Sequence, residues 1–249
     1  MSKPDWLYGI HSVTAVLKRH PERVLEVKVQ EGREEGRLNE VLGMIRQLGI
    51  ACQQVNKKSM DHQFPDANHQ GLAARCRLVA PLDEHGLFDL LDKLQAPPFL
   101  LILDSVTDPH NLGAVLRSAD AAGVHAVVTT KDKSVGLTPV VRRVAVGAAE
   151  VVPFVQVTNL ARLIKQLQDR QIWVVGTELD ETAKSLYEAD LKGPLALIMG
   201  AEGPGLRRLT RENCDQLVYI PMQGDVQSLN VSVAAGVCLF EALRQRSSF

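Results

Sequence analysis

Two patterns of hydrophobic and polar positions divide the chain. In residues 1–77, helical spacing in HSVTAVLKRH and GRLNEVLGMIRQLG alternates with strand-like runs in VLEVKVQE, IACQQVN and GLAARCRLV. This alternation predicts a small α/β sandwich. A segment that opens at Pro81, contains one short amphipathic helix and closes at Pro97–Pro98 is typical of a junction between domains. We therefore predict an N-terminal domain at 1–77, a linker at 78–98 and a C-terminal domain at 99–249.

The C-terminal domain has a stronger α/β rhythm. FLLILD, VHAVVTT, IWVVGT and LALIMG are apolar or nearly so along their length, and they alternate with the helical segments NLGAVLRSADAAG and LARLIKQLQDR. Strands that are apolar throughout are buried on both faces of a parallel sheet. The pattern predicts a covered, mostly parallel sheet whose ligand site lies at the carboxyl ends of its strands.

Composition narrows the class of protein. The chain has 249 residues, of which 45% are hydrophobic and 23% charged, as expected for a folded protein rather than a disordered one. Its formal net charge of -1 argues against binding nucleic acid by bulk charge alone. Residues 1–77 are mildly basic, at +3, with 12 Lys and Arg against 9 Asp and Glu. An RNA partner would therefore be recognised locally.

No segment predicts a membrane span or a metal site. No apolar run approaches the roughly 18 residues of a spanning helix, and MSKPDWLYGI does not resemble a signal peptide, so we expect a cytoplasmic protein with no membrane partner. The four cysteines form no CxxC pair, which disfavours zinc and a disulfide framework, and buried reduced thiols are expected.

The segment LDSVTDPHNLGAVLRSADAAGV is the first that can carry chemistry. It predicts a helix capped by Asp108, begun by Pro109 and ended at Gly123. The apolar stripe of that helix leaves Asn111 near its start and Arg117 off the stripe. Spacing alone favours a plainer explanation, in which Asn111 is a capping side chain and Arg117 a solvated arginine.

The segment LALIMGAEGPGLRRLT is the second. A buried strand enters a loop that contains Gly200, Glu202 and Gly203. The GxxGxG order does not match the dinucleotide pattern GxGxxG, and no GK[ST] follows, so a nucleoside triphosphate is disfavoured. Glycines after a strand permit close approach of a ligand to the backbone. A plain turn followed by the solvated arginines Arg207 and Arg208 explains the segment equally well.

The third segment is LVYIPMQGDVQSLNVSVAAGVCLFEALRQR. Ser228 or Asn230 can cap the helix that follows. That helix is apolar on nearly every side until its last turn, and such a helix needs to be covered on all sides. The pattern indicates a subunit interface or deep packing.

Together the three segments resemble the three motifs of the SpoU (TrmH) branch of the SPOUT RNA methyltransferases. The N-x5-R motif corresponds to Asn111 and Arg117, the MGxEGxG motif to Met199–Gly205, and the IPM…SLNVSVA motif to Ile220–Ala234. YGIHSV, the HQG element at His69–Gly71 and DPHNLGAVLRSADAAGVHAVV extend the resemblance over the whole chain. It is closest to the bacterial members that methylate a guanosine 2'-hydroxyl in the peptidyl-transferase region of 23S rRNA.

The resemblance implies a fold, a cofactor and partners. The fold is a C-terminal trefoil-knotted α/β methyltransferase domain preceded by a small ribosomal-protein-like α/β RNA-binding domain. The partners are a second copy of the chain, as a homodimer, and 23S rRNA or a large-subunit precursor particle. The cofactor is S-adenosylmethionine (SAM), without a metal. The cofactor-binding residues implied are Gly176, Thr177, Met199, Gly200, Gly203, Ile220, Met222, Ser228 and Leu229.

The catalytic residues that the resemblance implies are Asn111, Arg117, Glu202, Ser228 and Asn230. The family proposal makes Arg117 the general base, but a guanidinium stays protonated at neutral pH and accepts protons poorly. We therefore expect Arg117 to hold the target phosphate and to stabilise the developing alkoxide, while its neighbours position it. Asn111 and Asn230 would orient Arg117 and the ribose, Glu202 would position Asn or Arg side chains, and Ser228 would hold the loop at the helix start.

Three alternatives remain at this point. A related 2'-O-methyltransferase would act on tRNA or on another rRNA site. A non-catalytic ribosome-assembly factor would bind RNA but would not need the complete set of site residues. A Rossmann-type oxidoreductase would need GxGxxG and an acidic residue for the ribose, and the chain has neither at the required spacing.

Overall fold

The computed structural model describes residues 4–33, 36–65, 67–201, 203, 205–226 and 228–247. The chain divides into two compact units. Unit 1 comprises residues 1–80 with 146–151, and unit 2 comprises residues 81–145 with 152–249.

Unit 1 contains a mixed sheet with helices. Its elements before residue 80 are β1 (Pro4–Tyr8), α1 (Ile10–Arg19), β2 (Val24–Gln30), α2 (Gly36–Gln47), β3 (Cys52–Val55), α3 (Lys57–Gln63) and β4 (Leu72–Arg77). Among the described residues the strand order is β1-β4-β2-β3, with β2 and β3 parallel and the other pairs antiparallel. Apolar side chains of α1, α2 and the sheet form one core. The predicted small α/β fold is confirmed.

Sequence patterning missed β1 and α3 for a physical reason. β1 has only five residues and begins at Pro4, and it becomes a strand by pairing antiparallel with β4 from Pro4↔Arg77 to Tyr8↔Ala73. In α3 only Met60 is buried, so the helix has no apolar repeat to detect. The Asn56 side chain caps α3 by accepting the Ser59 N–H at 2.9 Å.

The HQG element joins the start of α1 to the start of β4. Gly9 and Gly71 have φ of 83° and 74°, a region in which residues with a side chain are strained. Gln70 Oε1 accepts the Ile10 N–H at 3.2 Å, and His69 Nδ1 accepts the Gly71 N–H at 3.0 Å. These contacts explain structurally why glycines and polar side chains stand at these positions.

Unit 2 contains the larger sheet. Elements after residue 80 are α4 (Glu84–Leu91), β5 (Phe99–Asp104), α5 (Pro109–Ala121), β6 (Ala126–Thr130), α6 (Pro139–Ala145), α7 (Ala148–Val151), β7 (Phe154–Val157), α8 (Leu160–Asp169), β8 (Trp173–Thr177), β9 (Lys184–Ser185), β10 (Leu195–Gly200), α9 (Arg208–Glu212), β11 (Gln216–Tyr219) and α10 (Val231–Arg246). Of these, α7 belongs to unit 1. Short 3-10 turns at Pro21–Arg23 and Leu186–Glu188 complete the described regular structure.

The sheet of unit 2 has the order β7-β6-β5-β10-β8-β11-β9 among the described residues, and every pairing recorded in it is parallel. All residues of β5 and β6 are buried, as expected for strands covered on both faces. The predicted parallel α/β sheet is confirmed. Because the strands are parallel, their carboxyl ends all lie at one edge.

The helix caps predicted for α5 are present. Asp108 accepts the His110 N–H at 2.8 Å, Pro109 is the first helical residue, and Gly123 follows the helix with φ of 72°. α5 lies very close to α6: a Cβ at Gly113 would be 2.6 Å from Val144 Cβ, so only glycine permits this approach. The buried side of α5 is thereby held against its neighbours, and its exposed side carries Arg117.

Residues 81–98 have regular structure of their own. They contain α4, and Leu82 forms a parallel bridge with Val155 of β7, so this segment is part of unit 2.

Of the cysteines, Cys76 and Cys238 are buried, but Cys52 is exposed, which corrects the expectation of four buried thiols. The trefoil knot is consistent with this fold and stays a prediction of the resemblance. Within the described ranges, no helix is long and apolar enough to cross a membrane.

Candidate active site

Three adjacent strands of unit 2 bring the second and third motif segments to one edge of the sheet. β10 is paired with β8, and β8 is paired with β11. In register, Met199 lies opposite Thr177, and Val218 lies opposite Thr177 from the other side. The predicted cofactor residues at 176–177, 199–203 and 220–229 therefore lie at or follow three neighbouring strand ends, as the general rule for parallel sheets expects.

The loop after β10 is a tight hairpin. The Ala201 N–H donates to the Gly205 carbonyl at 3.2 Å, and the Gly205 N–H donates to the Ala201 carbonyl at 3.1 Å. A Cβ on Gly200 would lie 2.3 Å from the Gly205 carbonyl carbon, and Gly203 has φ of 86°. These positions accept only glycine without strain. Glu202, predicted to be catalytic, lies outside the described residues.

Two carboxylates hold the chain where it leaves this hairpin. Glu178 Oε2 accepts the Leu206 N–H at 3.0 Å, and Asp104 Oδ2 accepts the Arg207 N–H at 3.1 Å. Asp104 Oδ1 also accepts Arg207 Nε at 2.5 Å. Arg207 is therefore not simply solvated, whereas Arg208 is exposed and pairs with a residue of its own helix.

Packing explains three of the predicted cofactor residues. A Cβ on Gly176 would lie 2.7 Å from Cys214 Sγ, so close packing behind β8 requires glycine there. Thr177 Oγ1 donates to the Ile198 carbonyl at 3.0 Å and lies 3.6 Å from Met199 Sδ, and the Met199 side chain is buried. A ligand at this edge would therefore meet the backbone of these residues.

Burial behind the same strands also affects a thiol. It raises the pKa of Cys214 to about 12, and the nearby carboxylates of Asp215, Asp104 and Glu178 act in the same direction. Cys214 is thus an unreactive protonated thiol at neutral pH.

The two predicted catalytic asparagines meet, although 119 positions separate them. Asn230 Nδ2 donates to Asn111 Oδ1 at 2.9 Å. Asn230 Oδ1 caps α10 by accepting the Ser232 N–H at 2.9 Å and the Ser232 hydroxyl at 2.5 Å. Asn111 is 8% exposed. The bond therefore joins the start of α5 to the start of α10.

Arg117 and Ser228 are exposed, and Ile220, Met222 and Leu229 are half-buried. Arg117 makes no hydrogen bond or ion pair with any residue that the structure describes, so its orientation by the asparagines stays a prediction. Arg117 lies on the exposed side of α5, the helix that also carries Asn111. Because a guanidinium binds phosphate oxygens in a bidentate manner, the exposed Arg117 suits a ligand that carries phosphate.

Sequence reasoning missed Asp104, Glu178 and Arg207. A usable signal was present for Asp104, because FLLILD places a carboxylate directly after five apolar residues of a buried strand, where it must find a partner. The identity of that partner was not readable, because Arg207 is 103 positions away.

Comparison with known families agrees with both units. Residues 98–240 match the SpoU rRNA Methylase family, and residues 6–82 match the family described as RNA 2'-O ribose methyltransferase substrate binding. The two matches cover most of the chain and do not overlap.

Similar proteins cover the full length. The chain is 56% identical over 248 residues to the 23S rRNA (guanosine-2'-O-)-methyltransferase RlmB of Shewanella oneidensis, with 100% of both chains covered. It is 53% identical over 246 residues to RlmB of Pseudomonas putida, covering 99% of this chain and 98% of that protein. Its fold is similar to that of the SpoU methyltransferase AviRb from Streptomyces viridochromogenes, with a TM-score of 0.76, 23% identity and coverage of 97% and 90%.

Proposed function

The chain belongs to the SpoU rRNA methylase family, and we propose that it transfers a methyl group from SAM to the ribose 2'-hydroxyl of a guanosine in 23S rRNA. The observation that carries the proposal is the hydrogen bond between Asn111 and Asn230, which joins the first motif segment to the third. The pairing of β10, β8 and β11 also brings the second and third segments together. Identity above 50% over the full length to the RlmB proteins supports the same substrate class.

The edge of the sheet fits SAM. Ala201 and Gly205 are joined by two backbone hydrogen bonds, and among the described residues nothing lies within 4 Å of the position that a Cβ of Gly203 would take. Gly203 is therefore open on that side to a ligand. Residues 199–203 would bind through the backbone, the half-buried Ile220, Met222 and Leu229 offer apolar surface, and Ser228 adds a hydroxyl. SAM, when bound, supplies a methyl group activated by a sulfonium.

The residues of the chain then position the acceptor. The exposed guanidinium of Arg117 is free to hold an RNA phosphate in a bidentate manner and to stabilise negative charge that develops on the 2'-oxygen. Asn111 and Asn230 fix each other and the helix starts on which the site is built. Well-oriented reactants reach effective molarities of about 10⁵–10⁸ M, so positioning supplies much of the rate. The hydroxyl proton passes to phosphate or water.

The described part of unit 1 is proposed to recognise RNA. Residues 6–82 match a substrate-binding family, and residues 1–77 are mildly basic, with 12 basic and 9 acidic side chains. We assign RNA binding to 1–77 and methyl transfer to 99–249. We further propose, as the motif resemblance implies, that the target guanosine lies in the peptidyl-transferase region and that the substrate is free rRNA or a large-subunit precursor particle in the cytoplasm.

The last helix is proposed to form a homodimer. Within the protomer, α10 buries Ala235, Cys238 and Leu239 against unit 2. Val233 and Phe240, seven positions apart and hence on one face, are 52% and 49% exposed. Exposed apolar residues in one stripe mark a surface that favours a partner, so a second copy would cover this face.

The test combines purified protein with 23S rRNA, separately with tRNA, and with SAM labelled on its methyl group. Incorporation into 23S rRNA, mapped to a single guanosine 2'-oxygen, is expected. Incorporation into tRNA alone would contradict the rRNA assignment. RNA binding without methyl transfer would indicate a non-catalytic assembly factor. Loss of the same 2'-O-methyl group from rRNA of a strain that lacks the protein would place the target in the cell.

A further inference from the structure

Asp104 has an unusual environment for a carboxylate. It is the last residue of β5, is 0% exposed, and follows five buried apolar residues. A buried carboxylate is costly unless it is paired and hydrogen-bonded. Both oxygens of Asp104 are occupied: Oδ2 accepts the Arg207 N–H at 3.1 Å, and Oδ1 accepts Arg207 Nε at 2.5 Å and the Ser105 hydroxyl at 3.2 Å. The burial of Asp104 therefore depends on Arg207.

The partner of Asp104 is the second residue after the hairpin 201–205. Strand β10, which enters the hairpin, lies between β5 and β8 in the sheet. β5 ends in Asp104, and β8 is followed directly by Glu178. Each flanking strand thus supplies one carboxylate, and the two accept the successive N–H groups of Leu206 and Arg207 at 3.0 and 3.1 Å. The exit of the hairpin is anchored from both sides.

These anchors lie directly after a hairpin in which the described residues Ala201 and Gly205 are joined by two backbone hydrogen bonds. Gly205 has φ of 68°, and a Cβ there would lie 3.2 Å from both Glu178 carboxylate oxygens. Glycine at 205 therefore leaves the space that the Glu178 carboxylate occupies. Beyond Asp104 the chain continues to α5 with Asn111. Asp104 consequently connects the exit of the hairpin to the segment that leads to α5, the helix that carries Asn111.

We propose that Asp104, with Glu178 as the second anchor, is a positioning residue that holds the 201–205 hairpin in its ligand-binding conformation. The inference rests on the proposed function, because it takes the hairpin to be part of the SAM site. Both carboxylates are occupied by groups of the chain itself, Asp104 by Arg207 and Ser105 and Glu178 by the Leu206 N–H. Their contribution is to hold Leu206 and Arg207 in place before the ligand binds, so that binding does not have to order this part of the chain.

The test measures SAM affinity and kinetics of full-length variants. Asp104→Asn keeps the size of the side chain and removes its charge. We expect the Kd for SAM, by calorimetry, and the KM for SAM to rise about tenfold or more, as for the loss of one charge-assisted hydrogen bond. We expect kcat at saturating SAM to change by less than about threefold, because the bound ligand restores the order of the loop.

A matched control removes an ion pair elsewhere in unit 2. Asp92 pairs with Arg170 at 2.5 Å at the end of α4, and Asp92→Asn should leave both the KM and the Kd for SAM unchanged. Glu178 is half-buried, so Glu178→Ala provides a second variant if Asp104→Asn does not fold. It should raise the KM for SAM, and Glu178→Gln, which keeps an acceptor oxygen for the Leu206 N–H, should restore much of the affinity.

The outcomes separate this inference from the proposed function. If wild-type protein does not bind SAM, the proposed function fails. If wild-type protein binds SAM and Gly200→Ala abolishes binding, the hairpin is part of the site. If, in that case, Asp104→Asn and Glu178→Ala lower the unfolding temperature but leave the Kd and KM for SAM at wild-type values, the carboxylates are merely structural and the inference is overturned.

Discussion

The contact between Asn230 and Asn111 has a structural part and a functional part that mutation can separate. Asn230→Ala removes the N-cap of α10, which costs about 1 kcal/mol. It also removes the 2.9 Å bond to Asn111, which costs about 1 kcal/mol. We expect the free energy of unfolding to fall by about 2 kcal/mol. At about 2–4 °C per kcal/mol for a domain of this size, the Tm should fall by about 4–8 °C.

Asn159 offers a matched control, because it is also exposed and caps α8 by accepting the Arg162 N–H at 2.9 Å. Asn159→Ala should cost about 1 kcal/mol, for the cap alone, and leave methyl transfer unchanged. Asn230→Ser keeps a capping oxygen, but its side chain is too short for the bond to Asn111. We therefore expect Asn230→Ser to recover about 1 kcal/mol relative to Asn230→Ala without recovering activity.

The assays are urea unfolding followed by circular dichroism and methyl transfer from labelled SAM to 23S rRNA. Both Asn230 variants should lose about tenfold or more in kcat/KM for the RNA, as for one lost transition-state contact. If Asn230→Ala costs no more stability than Asn159→Ala, the bond between Asn230 and Asn111 does not stabilise the fold. If Asn230→Ser transfers methyl groups at the wild-type rate, that bond has no part in catalysis.

Three further predictions concern charge and assembly. Because Arg117 is exposed, Arg117→Lys should leave the stability and the SAM affinity unchanged. It should lower the rate of methyl transfer about 100-fold, since the planar fork of donors is lost. Recovery of the rate at alkaline pH would instead favour a proton-accepting role for this residue. Phe240→Asp should make the protein monomeric in sedimentation at micromolar concentration, and wild-type protein that is already monomeric would contradict the proposed dimer. Burial, and secondarily Arg246, lower the pKa of His125 below its ordinary value, so the stability that His125 contributes is complete above the unfolded-state pKa and is lost as the pH falls through the lowered folded value. Urea unfolding from pH 7 downward should show a smaller loss of unfolding free energy for His125→Gln than for wild type.

The local features of the fold were readable from the chain. Runs such as FLLILD and LALIMG predict strands buried on both faces, and they are the adjacent parallel strands β5 and β10. Asp108 before Pro109 predicts the start of α5, because a cap depends only on residues within one turn. The motifs also sufficed for the family, since each lies within a short stretch of sequence. Local burial and capping leave a periodic or positional signal that a single sequence retains.

Contacts between distant segments depend on how the strands and helices pack. The sequence placed Asn111 and Asn230 in two motifs, but their hydrogen bond depends on the packing of α5 against α10. From the sequence, Arg207 is interpreted as a solvated turn residue. In the structure β5 lies beside β10, and Asp104 at the end of β5 accepts a hydrogen bond from Arg207. Gly176 reads as a ligand-binding glycine, yet the nearby Cys214 Sγ already excludes a side chain there. Periodicity records how deeply a residue is buried but not which partner buries it, and that partner follows from strand order and helix packing across more than a hundred positions.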